Sequence, residues 1–288
     1  MLNSDDIKRL ESQRDSKVLV LAASQLDIEL LPALYNSLQQ LGHVRRLDVV
    51  LYGRGGIVNA VRRIALLLRE FCDTLCFIVP HHCESAATLL CLSGHEIIAG
   101  PLAIFSPIDP ALQAGASNHE EAPSSLSSQD VRLFSQMMRD WFKLDDDEVK
   151  AQSASHLCNS IFPTTLTSFY RSTLELQQIG EQLLAFQLPE QEQGIRSKLV
   201  EQLQYGYHSH TYAITREELA QLGLKMKQDP QVDATAWKIA EQIRAKLGPG
   251  ACESLDAAWC DAIIATANET RGRWCHPERP SPCWKIVR

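Results

Sequence analysis

The stretch FIVPHHCESAATLLCLSGHEIIAGP, residues 77–101, begins with an apolar segment, continues through a short polar segment and ends in small and apolar residues. The apolar run ends at Pro80, and Ser85 opens the second run. Serine is a favoured helix N-cap, because its hydroxyl accepts a hydrogen bond from a backbone N–H that the helix leaves unpaired. A serine at the mouth of a helix is also a suitable place for a nucleophile. The local sequence leaves both interpretations open.

The rest of the N-terminal half repeats the same alternation of short apolar runs and amphipathic stretches. Strands are predicted over residues 17–23, 45–53, 74–80 and 95–100. Helices are predicted between them, over residues 26–42, from Ile57 onward, and over residues 85–94. Strands that alternate with helices at short spacing indicate an α/β layered domain with a largely parallel sheet.

The second half is helical in character. Residues 111–130 are polar and rich in Ala and Ser, which predicts an exposed loop. Thr215 and Glu218 have the spacing of a capping box at the start of a short helix. The last twenty residues predict an irregular tail. Further helices are predicted over residues 131–143, 165–186, 191–204, 235–247 and 252–268.

The bulk composition is that of a globular protein. The 288 residues are 45% hydrophobic and 22% charged, and the net charge of −7 offers no broad basic surface for nucleic acid. No apolar run approaches the roughly 20 residues that span a bilayer. Residues 1–17 are charged and lack the apolar centre of a signal peptide. We therefore expect a cytoplasmic protein with no membrane span and no nucleic-acid partner.

The nine cysteines favour buried, reduced thiols, because their number is odd and several lie in apolar stretches. Cys275, His276 and Cys283 resemble part of a metal-ligand cluster, but a second close pair is missing. The sequence therefore predicts neither a metal site nor a cofactor.

The segment LYGRGG, residues 51–56, joins a strand to a helix through glycines and so presents backbone N–H groups without obstruction. That geometry serves phosphate binding or oxyanion stabilisation, and a plain tight turn is the third interpretation. The spacings typical of phosphate-binding loops are absent. If the strands before Gly55 and Ser85 are neighbours in the sheet, both junctions emerge at the same edge, where ligands bind in open α/β sheets. The N–H groups of Gly55, Gly56 and Ala86 then form a candidate oxyanion hole beside Ser85.

Three segments also resemble a known family: residues 47–71, residues 79–110 and residues 210–224, the last reading HTYAITREELAQLGL. They are similar to the serine dehydrogenase proteinase family, a branch of the ClpP/crotonase-like superfamily related to signal peptide peptidase A. The resemblance covers about residues 8–226 and does not imply dehydrogenase activity.

The resemblance implies an α/β fold, a ClpP/crotonase-like spiral of ββα units with additional C-terminal helices. It also implies a serine hydrolase mechanism with Ser85 as the nucleophile and Gly56 and Ala86 as oxyanion donors. We expect a peptidase domain over residues 1–228, with a helical extension and an irregular tail over residues 229–288. His95 replaces the aspartate that is usual in the family, and we interpret His95 as structural.

The general base has two candidates. In ClpP the base is a histidine one strand after the nucleophile, backed by an aspartate near the final helix. This chain has Asp109 at the first place and His210 near the second, as if acid and imidazole had exchanged positions. The alternative is a Ser–Lys dyad with Lys143, as in signal peptide peptidase A. A lysine base needs a lowered pKa, and the three aspartates at residues 145–147 act against that, so we favour Ser85, His210 and Asp109.

The predicted function is that of a serine endopeptidase that cleaves peptides or unfolded segments of a protein substrate through an acyl-enzyme. The alternatives are a catalytically inactive scaffold or regulatory subunit and a crotonase-type acyl-CoA enzyme. A crotonase needs the oxyanion hole but no serine at this place, which disfavours it. The family and the apolar residues Phe169, Tyr170, Leu174 and Leu183 predict a ring-like or stacked homo-oligomer.

Overall fold

The computed structural model describes residues 2–108, 111–112, 126–143, 147–247, 257–276, 278 and 281–286. Within these residues the strands are β1 (Lys17–Ala23), β2 (Val44–Gly53), β3 (Cys72–Val79), β4 (His82–Cys83), β5 (Glu96–Ala99), β6 (Ile104–Phe105), β7 (Ala111–Leu112), β8 (Leu126–Ser127), β9 (Met226–Lys227), β10 (Trp259–Ala265), β11 (Thr270–Cys275) and β12 (Cys283–Ile286). The α-helices are α1 (Ser4–Arg14), α2 (Leu31–Leu41), α3 (Val58–Glu70), α4 (Ala86–Cys91), α5 (Ser128–Phe142), α6 (Asp147–Ser160), α7 (Pro163–Gln187), α8 (Gln193–Tyr205), α9 (Arg216–Gln221) and α10 (Pro230–Leu247).

One mixed sheet forms the centre of the fold. Its order is β12-β11-β10-β1-β2-β3-β5-β9, with the run from β1 to β9 parallel and β10, β11 and β12 added antiparallel beside β1. Strand β4 lies parallel beside the end of β2, where Gly53 pairs with Cys83, and β4 pairs in turn with β6. The predicted α/β class is confirmed, and the sheet is parallel in its N-terminal half.

Helices cover both faces of this sheet. Along β2, Val49 and Leu51 belong to the core beneath α2, α3, α4, α7 and α8, whereas Val50 and Tyr52 belong to the core beneath α1 and α10. A strand that is buried on both faces is apolar at nearly every position. This is why residues 47–52 read as an almost unbroken apolar run.

The predicted elements of the N-terminal half are confirmed to within a few residues. The predicted helix over residues 26–42 divides into a 3₁₀ turn, Ile28–Leu30, and α2. The capping box at α9 is also confirmed, because Thr215 Oγ1 accepts the N–H of Glu218 while the Glu218 carboxylate accepts the N–H of Thr215. Helix α6 was not expected, and its polar sequence carries no clear apolar stripe.

The predicted helix over residues 252–268 is wrong, since Trp259–Ala265 forms strand β10. Strand β10 lies between β1 and β11, so Ile263 enters one core and Ile264 the other. A short apolar run of this kind fits a buried helix or a buried strand equally well by periodicity. The predicted irregular tail is also wrong for residues 270–275 and 283–286, which form β11 and β12.

A buried ion cluster lies on the α1 face of the sheet. Asp48 is fully buried and accepts hydrogen bonds from Arg14 Nε at 3.0 Å and from Arg46 Nε at 3.2 Å. Arg14 Nη2 also donates to Glu96 Oε1 at 2.9 Å. Burial raises the pKa of Asp48, and the charge of Arg14 opposes that rise. The cluster joins α1, β2 and β5, and removal of any one of its charges would leave a buried charge with less compensation.

Candidate active site

Ser85 lies between β4 and the first residue of α4, and its backbone has a positive φ of 51° with ψ −118°. This conformation is strained for a residue with a Cβ, and such strain concentrates at functional sites. Ser85 occupies the N-cap position, yet its hydroxyl makes no capping hydrogen bond. The capping interpretation therefore does not explain the serine.

Ser106 and Thr88 hold this strained backbone in place. The N–H of Ser85 donates to Ser106 Oγ at 2.8 Å, and the N–H of Ser106 donates to Thr88 Oγ1 at 3.2 Å. The Thr88 hydroxyl donates to the carbonyl of Cys83 at 2.7 Å, which closes the network behind Ser85. Ser106 and Thr88 are buried, so water does not compete for these bonds.

The glycine turn that follows β2 lies directly against Ser85. A Cβ at residue 55 would sit 3.4 Å from Ser85 Cβ and 3.7 Å from Ser85 Oγ, and Gly55 has φ 129°. A Cβ at residue 56 would lie 2.6 Å from the backbone nitrogen of Leu26, with φ 154°. Only glycine fits residue 56, because both the backbone conformation and the available space exclude a side chain.

Backbone hydrogen bonds fix the shape of this turn. The N–H of Leu26 donates to the carbonyl of Gly55 at 2.9 Å, and the N–H of Ile57 donates to the carbonyl of Leu26 at 2.8 Å. Within the described residues, the N–H groups of Gly55, Gly56 and Ala86 make no hydrogen bond. The structure thus brings the predicted nucleophile and the glycine turn together, with these donors available at the same edge of the sheet.

A polar cluster of Tyr52, Arg54, His82 and Glu84 adjoins Ser85 on the side of α10. Arg54 Nη2 lies 3.3 Å from His82 Nε2, and His82 Nδ1 contacts Glu84 Oε1. A guanidinium only donates, so Nε2 of His82 accepts and Nδ1–H donates to Glu84. Burial opposes ionisation of Glu84, but its contacts with His82 and Arg54 outweigh that effect and lower its pKa. Both nitrogens of His82 are therefore engaged, which leaves this imidazole unsuited to take a proton from Ser85.

The two candidate bases, His210 and Lys143, do not belong to this cluster. His210 lies on an exposed turn after α8, four residues before Ile214. Ile214 pairs with Phe105, the last residue of β6, which directly precedes Ser106. Asp109 lies outside the described residues. Lys143 is exposed just after α5, in a left-handed conformation.

Sequence reasoning missed Ser106, Thr88, Arg54 and Glu84 as supports of the site. Thr88 is three residues after Ser85, so a hydroxyl close to the nucleophile was an available signal for it, whereas Ser106 is 21 residues away and gave no local signal. His95 has the structural role predicted for it, since its Nδ1 accepts the N–H of Leu75 at 3.0 Å.

The described part of the chain offers neither an arranged group of metal ligands nor a helix suited to a bilayer. No group of three or more His, Cys, Asp or Glu side chains among these residues is arranged to hold a metal ion. None of the described helices combines the length and apolarity needed to cross a membrane.

The curated relatives of this chain are short matches to proteins of Methanocaldococcus jannaschii. Uncharacterized protein MJ1495 is 33% identical over 66 residues, which are 23% of this chain and 23% of that protein. Uncharacterized protein MJ0137 is 25% identical over 142 residues, which are 45% of this chain and 50% of that protein. The chain thus matches between about a quarter and half of the length of these relatives.

Among solved structures, the chain is similar to two variants of the 1510-N membrane-bound stomatin-specific protease. A serine-to-alanine variant has a TM-score of 0.43 and 13% identity, covering 75% of this chain and 82% of that chain. A lysine-to-alanine variant in complex with a substrate peptide has the same score and identity, covering 75% of this chain and 77% of that chain.

The sequence of the N-terminal part also matches a described family, that of the ClpP-like SDH-type serine proteinases, over residues 2–131. This range holds both strand-to-helix junctions, with Gly55, Gly56 and Ser85, while the third motif at residues 210–224 lies beyond it. The match confirms the family resemblance predicted from the sequence. Residues 2–131 of this chain, with the glycine turn and the strained serine that they bring together, therefore match the ClpP-like SDH-type serine proteinase family.

Proposed function

We propose that this protein is a serine peptidase that cleaves peptides or unfolded protein segments through an acyl-enzyme at Ser85. The observation that carries the proposal is the contact between the Gly55 turn and Ser85, whose backbone is held in a strained conformation at the start of α4. Strain of this kind persists only where surrounding structure enforces it, and here the Ser106 and Thr88 hydroxyls do so.

In the proposed reaction Ser85 Oγ attacks the carbonyl carbon of the scissile amide, and its proton passes to a base. The N–H groups of Gly55, Gly56 and Ala86 stabilise the negative charge that develops on the carbonyl oxygen. The carbon–nitrogen bond then breaks, the amine leaves with the proton, and the acyl group remains on Ser85. Water attacks the ester in the second half-reaction and releases the acid.

We propose His210, oriented by Asp109, as the base. A neutral imidazole accepts a proton near physiological pH without burial, whereas a lysine needs a strongly lowered pKa. Lys143 is exposed, and this exposure supports His210 over the dyad. Ile214, four residues after His210, pairs with Phe105 of β6, and this pairing close to Ser106 supports the proposal.

A fluorophosphonate probe tests the proposed function, because it reacts covalently only with an activated serine. We expect stoichiometric labelling that mass spectrometry assigns to Ser85 and that Ser85→Ala abolishes, with an unchanged circular dichroism spectrum. Ser93→Ala is the matched control, since Ser93 is a buried serine on the same segment whose hydroxyl is bonded to the carbonyl of Leu90. Absence of labelling in the unmodified protein would favour the catalytically inactive scaffold.

We also propose that the protein assembles as a homo-oligomer. Phe169 and Leu183 are buried within the protomer, so of the predicted apolar residues Tyr170 and Leu174 of α7 supply the exposed surface, at 64% and 52% exposure. Light scattering at micromolar concentration tests this proposal, and the mass of a monomer would refute it. The cytoplasmic location stays a prediction.

A further inference from the structure

A cleft lies at the carboxyl ends of β3 and β5, on the face of the sheet that α10 covers. Its volume is about 460 Å³, and its walls are mainly apolar, with Pro80, Leu102, Pro230 and Trp237 among them. Leu102 is 53% exposed, so the cleft opens to the surface. None of the residues assigned above to the Ser85 reaction lines this cleft.

Two charged residues stand at the cleft, and they differ in how they are paired. Arg216 Nε donates to Glu217 Oε1 at 2.7 Å, and Arg216 Nη1 donates to the carbonyl of Ala99 at 2.9 Å. Asp233, in the first turn of α10, makes no ion pair and no side-chain hydrogen bond to any described residue. Its Oδ1 lies 3.8 Å from the place of a Cβ at Gly100, directly above the end of β5. Hydrogen bonds thus fix the Arg216 side chain, whereas the Asp233 carboxylate is acted on by the charge of Arg216 but accepts no side-chain hydrogen bond from a described residue.

The surroundings of Asp233 suit a cation carried on an apolar stem. The carboxylate is half-buried, and burial raises its pKa while the charge of Arg216 opposes that rise. The charge of Arg216 compensates part of the hydration that this carboxylate has lost, and a bound cation that also donates a hydrogen bond would compensate more of it. The ring of Trp237, which already has Arg244 Cζ 5.9 Å from its centroid, attracts cations through its face. The prolines and Leu102 offer apolar surface to methylene groups. Lysine and arginine side chains combine both features.

A series of side-chain contacts also links the cleft to the residue before the nucleophile. The ring of Trp237 meets His81 edge-on at 5.7 Å between centroids, and His81 packs on His82 at 4.0 Å. His82 contacts Glu84, which precedes Ser85 in the chain. A peptide lying along this edge of the sheet would pass from Ser85 towards the cleft.

We propose that this cleft binds the side chain of a lysine or arginine in a peptide, with the stem against the apolar walls and the cation between Trp237 and Asp233. The inference deepens the proposed function, and rests on it in taking the peptide to be the substrate. Binding itself does not require turnover and can be measured separately.

The test uses the full chain carrying Ser85→Ala, so that no peptide is cleaved, and the indole N–H signal of Trp237 in nitrogen-15 NMR spectra. The probes are acetyl-Gly-Lys-Gly-amide and the same peptide with norleucine, which keeps the stem but lacks the ammonium. We expect the lysine peptide to shift the Trp237 signal and to bind more tightly than the norleucine peptide. Free pentylamine is the third probe, and equal affinity for it would overturn the assignment to a peptide.

Asp233→Asn removes the charge and keeps the shape of the side chain. It should weaken lysine-peptide binding by about fivefold, as for a partly exposed ion pair, and leave norleucine-peptide binding unchanged. Glu241→Gln, an exposed acid on the same helix that does not line the cleft, is the matched control and should change neither affinity. Leu102→Ser provides a second variant at an exposed position, and should weaken both peptides.

Equal binding of the lysine and norleucine peptides, or an unchanged lysine affinity in Asp233→Asn, would overturn the inference. These outcomes are separate from those for the peptidase. If the fluorophosphonate fails to label Ser85 while lysine selectivity holds, the cleft is a binding site and the proposed catalysis falls. If labelling succeeds and selectivity is absent, only the cleft assignment falls.

Discussion

Gly55 approaches Ser85 so closely that a Cβ at residue 55 would stand 3.4 Å from Ser85 Cβ and 3.7 Å from Ser85 Oγ. The two residues are thirty positions apart in sequence, and the parallel pairing of β2 with β4 brings them together. The Ser85 hydroxyl and the backbone of the glycine turn are therefore in close proximity at the carboxyl edge of the sheet.

Gly55→Ala should reduce fluorophosphonate labelling of Ser85 by about a hundredfold while the protein stays folded. The added methyl crowds Ser85 and strains a backbone with φ 129°, and displacement of about 1 Å at a reacting group has an effect of this size. The measurement is the second-order labelling rate, with circular dichroism as the test of folding.

Gly42→Ala is the control for this substitution. Gly42 also has a positive φ, of 68°, but nothing lies within 4 Å of the place of its Cβ. Gly42→Ala should lower the free energy of unfolding by about 1 kcal/mol and leave the labelling rate of Ser85 unchanged. Equal labelling rates in Gly55→Ala and the unmodified protein would contradict the proposed arrangement of the site.

His210→Ala should lower the kcat of peptide cleavage by about 10³-fold if His210 is the base. A histidine accepts a proton only when neutral, so activity should rise with pH across the range in which imidazoles titrate, around pH 6.5. Steady-state rates over this range, with Lys143→Ala as the comparison, measure both effects.

Lys143→Ala should then change the kcat little, and Asp109→Asn should lower it by disturbing the orientation of the ring. If Lys143 is the base instead, the two alanine variants exchange their effects and the rise in activity moves above neutral pH. Near-normal turnover in His210→Ala would rule out the assignment.

His81 should make the stability of the fold depend on pH in mildly acidic solution. Burial, and then the neighbouring His82, lowers its pKa from 6.5 to about 4. The unfolded chain therefore binds a proton between about pH 6.5 and about pH 4 that the folded protein does not. The stabilising contribution is full above about pH 6.5 and declines as the pH falls through this window.

Urea unfolding at several pH values in this window measures the effect. His81→Phe should flatten the pH dependence of the free energy of unfolding, because the ring packing stays and the titrating group is removed. Nδ1 of His81 has no hydrogen-bond partner among the described residues. Removing this nitrogen therefore breaks no described hydrogen bond. His43→Gln, at a largely exposed site, is the control. An unchanged slope in His81→Phe would show that His81 does not titrate as inferred.

Arg14→Met should lower the free energy of unfolding by about 3 kcal/mol, because it removes one cation from the buried carboxylate of Asp48. Arg45→Met breaks the ion pair between Arg45 and Asp15, whose side chains are 79% and 93% exposed, respectively. This substitution should lower the free energy of unfolding by less than about 1 kcal/mol. Denaturant unfolding measures both. Adding Asp48→Asn to Arg14→Met should recover part of the loss, and a further loss of stability instead would contradict this account.

The strands near the two ends of the chain differ in how far local sequence specifies them. Strands β1, β2 and β3 are apolar on both faces and are bounded by glycine, proline or polar residues, so local sequence specifies them. Strand β10 carries an equally apolar segment, but its state depends on pairing with β1, more than 230 residues earlier in the chain. No local pattern contains that information.

The sequence by itself determined the alternation of strands and helices, the glycine turn after β2 and the serine at the start of α4, because each depends on residues within a few positions. Only the tertiary structure decided that the Gly55 turn lies against Ser85, and that Ser106 supports the Ser85 backbone from a distant segment. It also decided that Asp233 of α10 faces an apolar cleft. These relationships arise from strand register and helix packing, which are set by contacts between residues far apart in the chain.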